Sequence, residues 1–449
     1  MPTHIDRRKF VTSASLAAPA VVSACRAAPS KRIRLGFIGC GGRGSSLMSI
    51  VSRYPDVEIA AISDVIEPRM DKARRMLADA PHPQKPEAAL DYRRMLDRKD
   101  IDAVFIATTQ HWHALPFIHA CQARKHIYVE KPLSHTVAEG RAMLKAANKH
   151  GIIALMGTQQ RAGAHYQKAV ELVRSGKLGK IGLVECWNYF DRGERAGRFP
   201  DSAPPPGYHW DRWLGPAPAV PFNQGRLDHN WWFDYGGGVL TNWGPHHFDI
   251  ALWAMDNATP LTAVATGGKF VVDDIADTPD VFEASWEFPG FLLTYRHRSY
   301  NNFHHLQSRP YHHGICFYGK QATLVIDRFG YEIYSNVGSK PYRLYAFPLE
   351  PPVEKAAGVP YSGAGADAQG AQDGPYQRTF LDCVKDGGKP PVDLEFSRRV
   401  SVCCQLGNIA YLTRRRIRWD AEKNTIPGDE AAARLLARPY RRGYELPEV

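Results

Sequence analysis

Lys131, in the run Glu130-Lys131-Pro132, and the pair Asn242 and His246 are the residues of this sequence best suited to moving a hydride and a proton. An ammonium fixed beside a bound nicotinamide steers and polarises a carbinol or carbonyl oxygen. An imidazole can take or return the hydroxyl proton near neutral pH. Pro132 restrains the backbone after Lys131. Asn242 and His246 stand four residues apart in the run from Gly236 to Asp249, one helical turn, so both can face one pocket. A lone histidine is more often structural; the polar partner at i−4 and the preceding glycines favour a functional reading. His247 points elsewhere on such a helix and is read as structural.

Gly39, Gly41 and Gly44 spell G-x-G-x-x-G. The first permits a tight turn, the second lets backbone approach a pyrophosphate, and the third lets helix and strand pack closely. The helix N-terminus then faces the anion. Asp64 lies twenty positions past Gly44. A carboxylate there accepts from both ribose hydroxyls and repels a 2′-phosphate, which favours NAD over NADP; Arg69 nearby keeps NADP open.

These residues require a scaffold. Apolar strands at 33–38, 57–62, 103–107, 126–129 and 152–156 alternate with helical stretches at 67–78, 92–97, 113–123 and 137–150. That alternation predicts a parallel doubly wound sheet with Lys131 at a strand end. After Gly157 the strands lengthen and alternate, at 181–189, 262–272, 282–288, 291–300 and 314–327, which predicts a mixed or antiparallel sheet open on one face. The expected fold class is α/β. A dinucleotide-binding domain spans 31–157, and a substrate-binding and oligomerisation domain with a returning tail spans 158–449. A long loop at 191–235 carries much aromatic residue, and loops of that length are usually functional. Residues 356–374 read as a surface loop, and 376–384, 395–414 and 429–440 as helices.

Trp187, Tyr189, Trp210, Trp213, Trp231, Trp232 and Tyr235 either stack on sugar faces or line a core. Arg161, Asp234 and His229 could bond sugar hydroxyls. His304, His305, His312 and His313 lack the carboxylate or cysteine spacing of a metal site, so no metal is expected. The eight cysteines form no C-x-x-C pair and no evident disulfide framework. The 449 residues are 44% hydrophobic and 23% charged, the composition of a globular protein. The net charge of +11 is scattered, and no nucleic-acid reader motif appears.

Arg7-Arg8-Lys9-Phe10 followed by the apolar stretch Val11 to Ala24 has the pattern of a twin-arginine export signal. Val22-Ser23-Ala24-Cys25 resembles a lipobox with Cys25 as the lipidated residue; cleavage after Ala24 or Ala28 fits nearly as well. The expected location is the periplasm or cell envelope, the alternative being a basic N-terminus on a cytoplasmic enzyme. Outside the cytoplasm there is no free nicotinamide pool, so the cofactor, NAD or NADP, is expected to be tightly bound and recycled.

The Gly39 fingerprint, Glu130-Lys131-Pro132 and the Gly236–Asp249 run together resemble the glucose–fructose oxidoreductase / inositol dehydrogenase (Gfo/Idh/MocA) family, whose pattern is G-G-G-x-x-x-D-x-G-x-H-x-x-D. The likeness covers nearly all of the chain after its N-terminal segment. Thr108 to His113, Gly157 to Arg161 and Arg438-Pro439-Tyr440 also resemble exported members. The resemblance implies a Rossmann domain, an α/β domain with a large, open, mostly antiparallel sheet, and hydride exchange with sugars, glycosides or polyols. It places Lys131, His246 and Asn242 at the catalytic positions. Gly39, Gly41, Gly42, Arg43, Gly44, Asp64, Thr108, His113, Glu130, Lys131 and Gln159 then serve the cofactor. Arg161, Tyr189, Trp232, Asp234 and His246 serve the substrate. Relatives often pair through the open sheet, so a homo-oligomer is expected, with a carbohydrate partner and no nucleic acid. Some relatives instead cleave glycosides without net redox change, by transient C3 oxidation and elimination; a non-catalytic sugar-binding relative is a third possibility. One departure stands out. Dehydrogenase members often carry Asp where this chain has Asn242, and an amide cannot stabilise an imidazolium as a carboxylate does.

Overall fold

The computed structural model describes residues 32–194, 196–257, 259–303, 312–335, 354–357 and 366–449. The twin-arginine segment with Cys25, His304 and His305, and residues 358–365 of the expected surface loop lie outside the described residues.

The chain first alternates strand and helix: β1 (Ile33–Ile38), α1 (Gly42–Val51), β2 (Val57–Ser63), α2 (Glu67–Ala78), β3 (Glu87–Ala89), α3 (Arg93–Leu96), β4 (Ala103–Ile106), α4 (Ala114–Gln122), β5 (His126–Val129), α5 (Val137–His150) and β6 (Ala154–Met156). The strands pair in parallel in the order β3-β2-β1-β4-β5-β6. All four residues of β4 are buried, as a sheet covered on both faces requires. The order reverses between β1 and β4, which opens a crevice at their C-terminal ends. Glu130 and Lys131 follow β5 into that crevice.

After α6 (Ala164–Arg174) come β7 (Ile181–Tyr189), α7 (Trp210–Leu214), α8 (Gly238–Met255), β8 (Thr262–Gly268), β9 (Val281–Phe288), β10 (Phe291–Arg298), β11 (His313–Gly319), β12 (Ala322–Asp327), β13 (Gly330–Ser335) and β14 (Glu354–Ala357). Then follow α9 (Ala366–Asp386), α10 (Leu394–Thr413), β15 (Ile417–Arg418) and α11 (Glu430–Arg434). Nine of these strands form the second sheet, β14-β13-β12-β11-β7-β10-β9-β8-β15, antiparallel except where β7 meets β10. Burial alternates along β9: Phe282, Ala284, Trp286 and Phe288 point inward beneath α8 and α10, while Glu283 and Glu287 face outward. This period of two is the mark of a sheet with one covered face.

The fold is therefore the expected α/β pair of sheets, with local corrections. The stretch 314–327 is a hairpin, because Gln321 and Lys320 turn aside to bond the carbonyls of Leu178 and Lys180. The strand expected to run to 272 stops at Gly268, where the Asp280 carboxylate captures the N–H groups of Phe270, Val271 and Val272. Residues 366–374 belong to α9 rather than to a loop. The expected tail helix lasts only from Glu430 to Arg434, since the chain must straighten for Arg438 and Tyr440 to reach Glu139. The loop at 191–235 contains α7 and two 3-10 turns.

Helix α9 completes the core of the first sheet. Phe37, Phe105 and Tyr128 stack at 4.8 and 4.7 Å between ring centres, and Phe380 meets Phe105 edge-on at 5.6 Å. Both sheets belong to one unit spanning residues 32–449. The seven described cysteines are free and buried.

Candidate functional site

A cleft of about 260 Å³ lies over the C-terminal ends of β1, β2 and β4. Its floor is the glycine turn. Gly39 adopts φ +98° against the backbone of Ala107, and a Cβ on Gly44 would run into the carbonyl oxygen of Gly39. Gly44→Ala is therefore expected to push α1 off β1 and to weaken dinucleotide binding by at least tenfold, checked by NADH titration beside a thermal melt.

Asp64 sits at the end of β2, buried. Its carboxylate accepts from the N–H of Cys40 at 2.7 Å and of Ile66 at 2.9 Å. Burial pushes its pKa up, and Arg69, on the same cleft wall, opposes the shift. A carboxylate has about four acceptor positions, so Asp64 keeps acceptor capacity for a ribose hydroxyl. Thr108 lines the cleft, and its buried hydroxyl has no partner among the described residues. Open glycine backbone, a helix start, a carboxylate with spare acceptor capacity and an orphaned hydroxyl fit a dinucleotide.

The cleft has a roof from the long loop. Glu67 N–H donates to Gly207 O at 2.9 Å and His209 N–H to Val65 O at 3.0 Å, and Trp213 and His229 line the cavity from above. The tail braces this roof through Arg441, which donates to Gly215 O at 2.6 Å, and the segment after β4 braces it through the Trp112 indole, which donates to Trp213 O at 2.9 Å.

A second cavity of about 430 Å³ continues from the first and shares Arg43, Ala107, Thr108 and His229 with it. Lys131 stands in its wall. Its ammonium donates to the Asn242 backbone oxygen at 2.7 Å and to Asn242 Oδ1 at 2.6 Å. The peptide bond to Pro132 is cis, and the Pro132 carbonyl oxygen lies 2.8 Å from His113 Nδ1. Burial lowers the Lys131 pKa to about 8, against the pull of Glu130. Arg43 of the glycine turn is held by Glu130 at 2.7 Å and by both oxygens of Asp373 at 2.8 and 2.9 Å. One guanidinium thus ties cofactor loop, lysine strand and α9 together.

Asn242 and His246 come from the first turns of α8. Gly237 precedes that helix at φ +108°, and Asn408 of α10 donates to its carbonyl at 2.8 Å. Burial, then Lys131 and Arg328, hold His246 well below the ordinary imidazole range, so its ring is neutral. Its Nδ1 has no partner among the described residues.

The cavity thus gathers Arg43, Thr108, His113, Glu130, Lys131, Gln159, Asn242 and His246. Gly39, Gly41, Gly42 and Asp64 line the cleft, with Gly44 packed beneath it. Four expected substrate contacts lie elsewhere. Arg161 is buried against Asp249 at 2.6 Å, between the rings of Trp253 and Phe396. Tyr189 packs with Trp187 and Cys316 under the guanidinium of Arg298. The Trp232 indole donates to Gly225 O at 3.2 Å with Arg226 over its face. Asp234 is exposed and borders a separate pocket beside Asn408. Trp213, Trp231, Trp232 and Tyr235 form a core cluster, so core lining prevails for these rings. Instead, Trp243, Gln110, Asn230 and Arg328 line the cavity. Trp243 stands between two residues already singled out, Gln110 lies in the run from Thr108 to His113, and Asn230 follows His229; Arg328 carries no local signal.

A parallel doubly wound sheet with a glycine turn at its crevice is the form of a dinucleotide-binding domain. Residues 33–158 match the model described as "Oxidoreductase family, NAD-binding Rossmann fold", and residues 213–325 match the "GFO/IDH/MocA C-terminal domain". The chain belongs to the Gfo/Idh/MocA family. It is 35% identical over 156 residues to "Uncharacterized oxidoreductase YrbE" of Bacillus subtilis (strain 168), covering 35% of this chain and 44% of that protein. It is 33% identical over 152 residues to a "Glycosyl hydrolase family 109 protein" of Shewanella sp. (strain W3-18-1), covering 33% of each. The chain therefore spans less than half the length of either relative. In fold it is similar to levoglucosan dehydrogenase in complex with NADH, with a TM-score of 0.61 and 17% identity, covering 86% of this chain and 99% of that one.

Proposed function

We propose that this protein exchanges a hydride between NAD, or NADP, and a hydroxyl or keto carbon of a sugar, glycoside or polyol, in the cell envelope after twin-arginine export. The reading is carried by the Lys131 ammonium, held on both oxygens of Asn242 where the cofactor cleft opens into the polar cavity. The bound nicotinamide supplies the hydride acceptor or donor; the chain supplies position and proton transfer. A pKa of about 8 suits Lys131 to acid–base work near neutral pH. As a free amine it takes the hydroxyl proton, and the Asn242 oxygens receive the ammonium so formed. His246, neutral and without a carboxylate behind it, serves as hydrogen-bond partner to the reacting oxygen rather than as its base.

Asn242→Asp tests this division of labour. A carboxylate at this position favours the charged form of Lys131 and of His246. The acid limb of the kcat–pH profile is expected to move up from about 8 by roughly one unit or more. An unmoved profile would reject Lys131 as the base.

A second reading, redox-neutral glycoside cleavage, is favoured by the likeness to glycosyl hydrolase family 109. Denaturing the purified protein and identifying any released nucleotide tests both readings and tight retention of the cofactor. A glycoside panel followed by nicotinamide absorbance and by aglycone release then separates them. Net nicotinamide reduction supports oxidation, and aglycone release without it supports cleavage. Failure to bind any nicotinamide nucleotide, bound or added, would end both.

A further inference from the structure

Four residues line both the cofactor cleft and the polar cavity, and so mark the neck where one passes into the other. Arg43, Ala107 and Thr108 belong to the floor. His229 alone comes from the roof. Of the floor residues, Arg43 is committed to Glu130 and Asp373. Thr108 presents a buried hydroxyl with no partner among the described residues.

The His229 ring makes no hydrogen bond to the described residues. Its position is nevertheless set firmly. The backbone of its 3-10 turn is closed by Trp231 N–H to Asp228 O at 3.3 Å, and its own carbonyl accepts from Trp232 N–H at 3.3 Å. The carbonyl also abuts Gly236, where a Cβ would lie 2.6 Å from it. Burial, then Lys131, His113 and Arg69, lower its pKa to about 3, so the ring is neutral throughout the working range. A neutral imidazole offers one N–H donor and one bare nitrogen acceptor. An unpartnered donor–acceptor pair held half-buried over a neck is placed to pair with a ligand that carries the same two functions. The nicotinamide riboside end of a dinucleotide has them twice, in its carboxamide and in its ribose diol.

We infer that His229 is a positioning residue that holds the nicotinamide riboside from the roof, opposite the Thr108 hydroxyl, and so sets the ring against Lys131. The inference rests on the oxidoreductase reading and adds to it the residue that fixes the redox end of the cofactor. It follows that, within the roof, His229 acts on the nicotinamide half while Asp64 and the glycines act on the other half.

The test uses the full-length protein stripped of nucleotide, with NADH and ADP-ribose as probes, the second lacking the nicotinamide riboside. His229→Ala is expected to weaken NADH binding about ten- to a hundredfold, as loss of buried hydrogen bonds predicts. ADP-ribose affinity is expected to stay within about threefold of wild type. His229→Gln, which keeps a donor and an acceptor, is expected to recover most of the loss and to restore the fluorescence maximum of bound NADH. An analogue with acetyl in place of the carboxamide separates the two partners: wild type loses affinity for it only if the imidazole holds the amide rather than the diol. Unchanged NADH binding in His229→Ala would overturn the inference alone, and so would an equal loss of ADP-ribose. Wild type that bound neither probe would overturn the dinucleotide reading, and this inference with it.

Discussion

Lys131→Met is expected to cut kcat by about 10²- to 10⁴-fold and, at pH 7, to make the folded protein more stable. The two effects have one cause. The ammonium is taken largely out of water and given two neutral acceptors, so burial lowers its pKa from the ordinary 10.5 to about 8. A depressed lysine pKa means that the unfolded chain binds more protons between about pH 8 and 10.5. Stability of the wild type therefore rises with pH across that window, and the cost of the buried charge is present in full below about 8. Allowing for the partial exposure of Lys131, that cost is on the order of 2–3 kcal/mol. Methionine fills a similar volume without the charge. It leaves the Asn242 oxygens to water, which returns about 1 kcal/mol of the gain. The variant should thus be about 1–2 kcal/mol more stable at pH 7, with the difference fading as pH passes 10. Steady-state rates with saturating nucleotide and denaturant melts at pH 7 and 10.5 check both halves. A variant that kept its rate would remove Lys131 from the chemistry. One that lost both rate and stability would make it a structural tie between β5 and α8.

How local the geometric demand on a residue is decides which parts of the site could be read from the residues alone. Gly39, Gly41, Gly44 and Asp64 were legible because each answers to a local geometric need within one strand–turn–helix unit. Lys131 was legible because it ends a strand of the same sheet. Asn242 and His246 were legible because helical spacing puts them on one face. The placement of Arg161 and Tyr189 was not, because it depends on partners far along the chain; Trp232 is claimed by Gly225 and Arg226 of its own loop, and Asp234 is exposed. Asp249 takes Arg161, and Arg298 covers Tyr189. Chemical suitability for sugar binding does not decide which of several aromatic residues a core will claim. Asp373 shows the same limit from the other side. In a small, glycine-rich stretch it read as loop, yet it lies fully buried on α9 against Arg43, 330 residues away. The long strand expected at 314–327 failed differently: its two halves are both extended, and nothing in apolar alternation marks the two residues that turn between them.

Glu139→Ala is expected to cost about 3–5 kcal/mol of stability and to release the C-terminal tail, although Glu139 touches neither cavity. Its carboxylate is fully buried and carries four bonds. One oxygen accepts from the N–H groups of His135 and Thr136, each at 3.0 Å, as half of the capping box that begins α5. The other accepts from Arg438 Nε at 2.9 Å and from the Tyr440 hydroxyl at 2.6 Å. Removing it leaves the Arg438 guanidinium in a largely buried place with no counter-charge, and leaves two helix-start N–H groups without their acceptor. Arg438 also donates to the His111 carbonyl at 2.5 Å, and three residues later Arg441 grips Gly215 and Asp211 beneath the roof. Loss of the ion pair should therefore propagate from α5 to the tail and from the tail to residues 205–229. The expected signs are faster tryptic cleavage after Arg441 and Arg442, since the Arg438-Pro439 bond resists trypsin, and weaker NADH binding. Glu139→Gln keeps an acceptor for the cap and should lose less than Glu139→Ala. If the alanine variant resisted trypsin as wild type does and bound NADH as tightly, the tail would be no support for the roof, and retention of the cofactor would have to be sought in the floor alone.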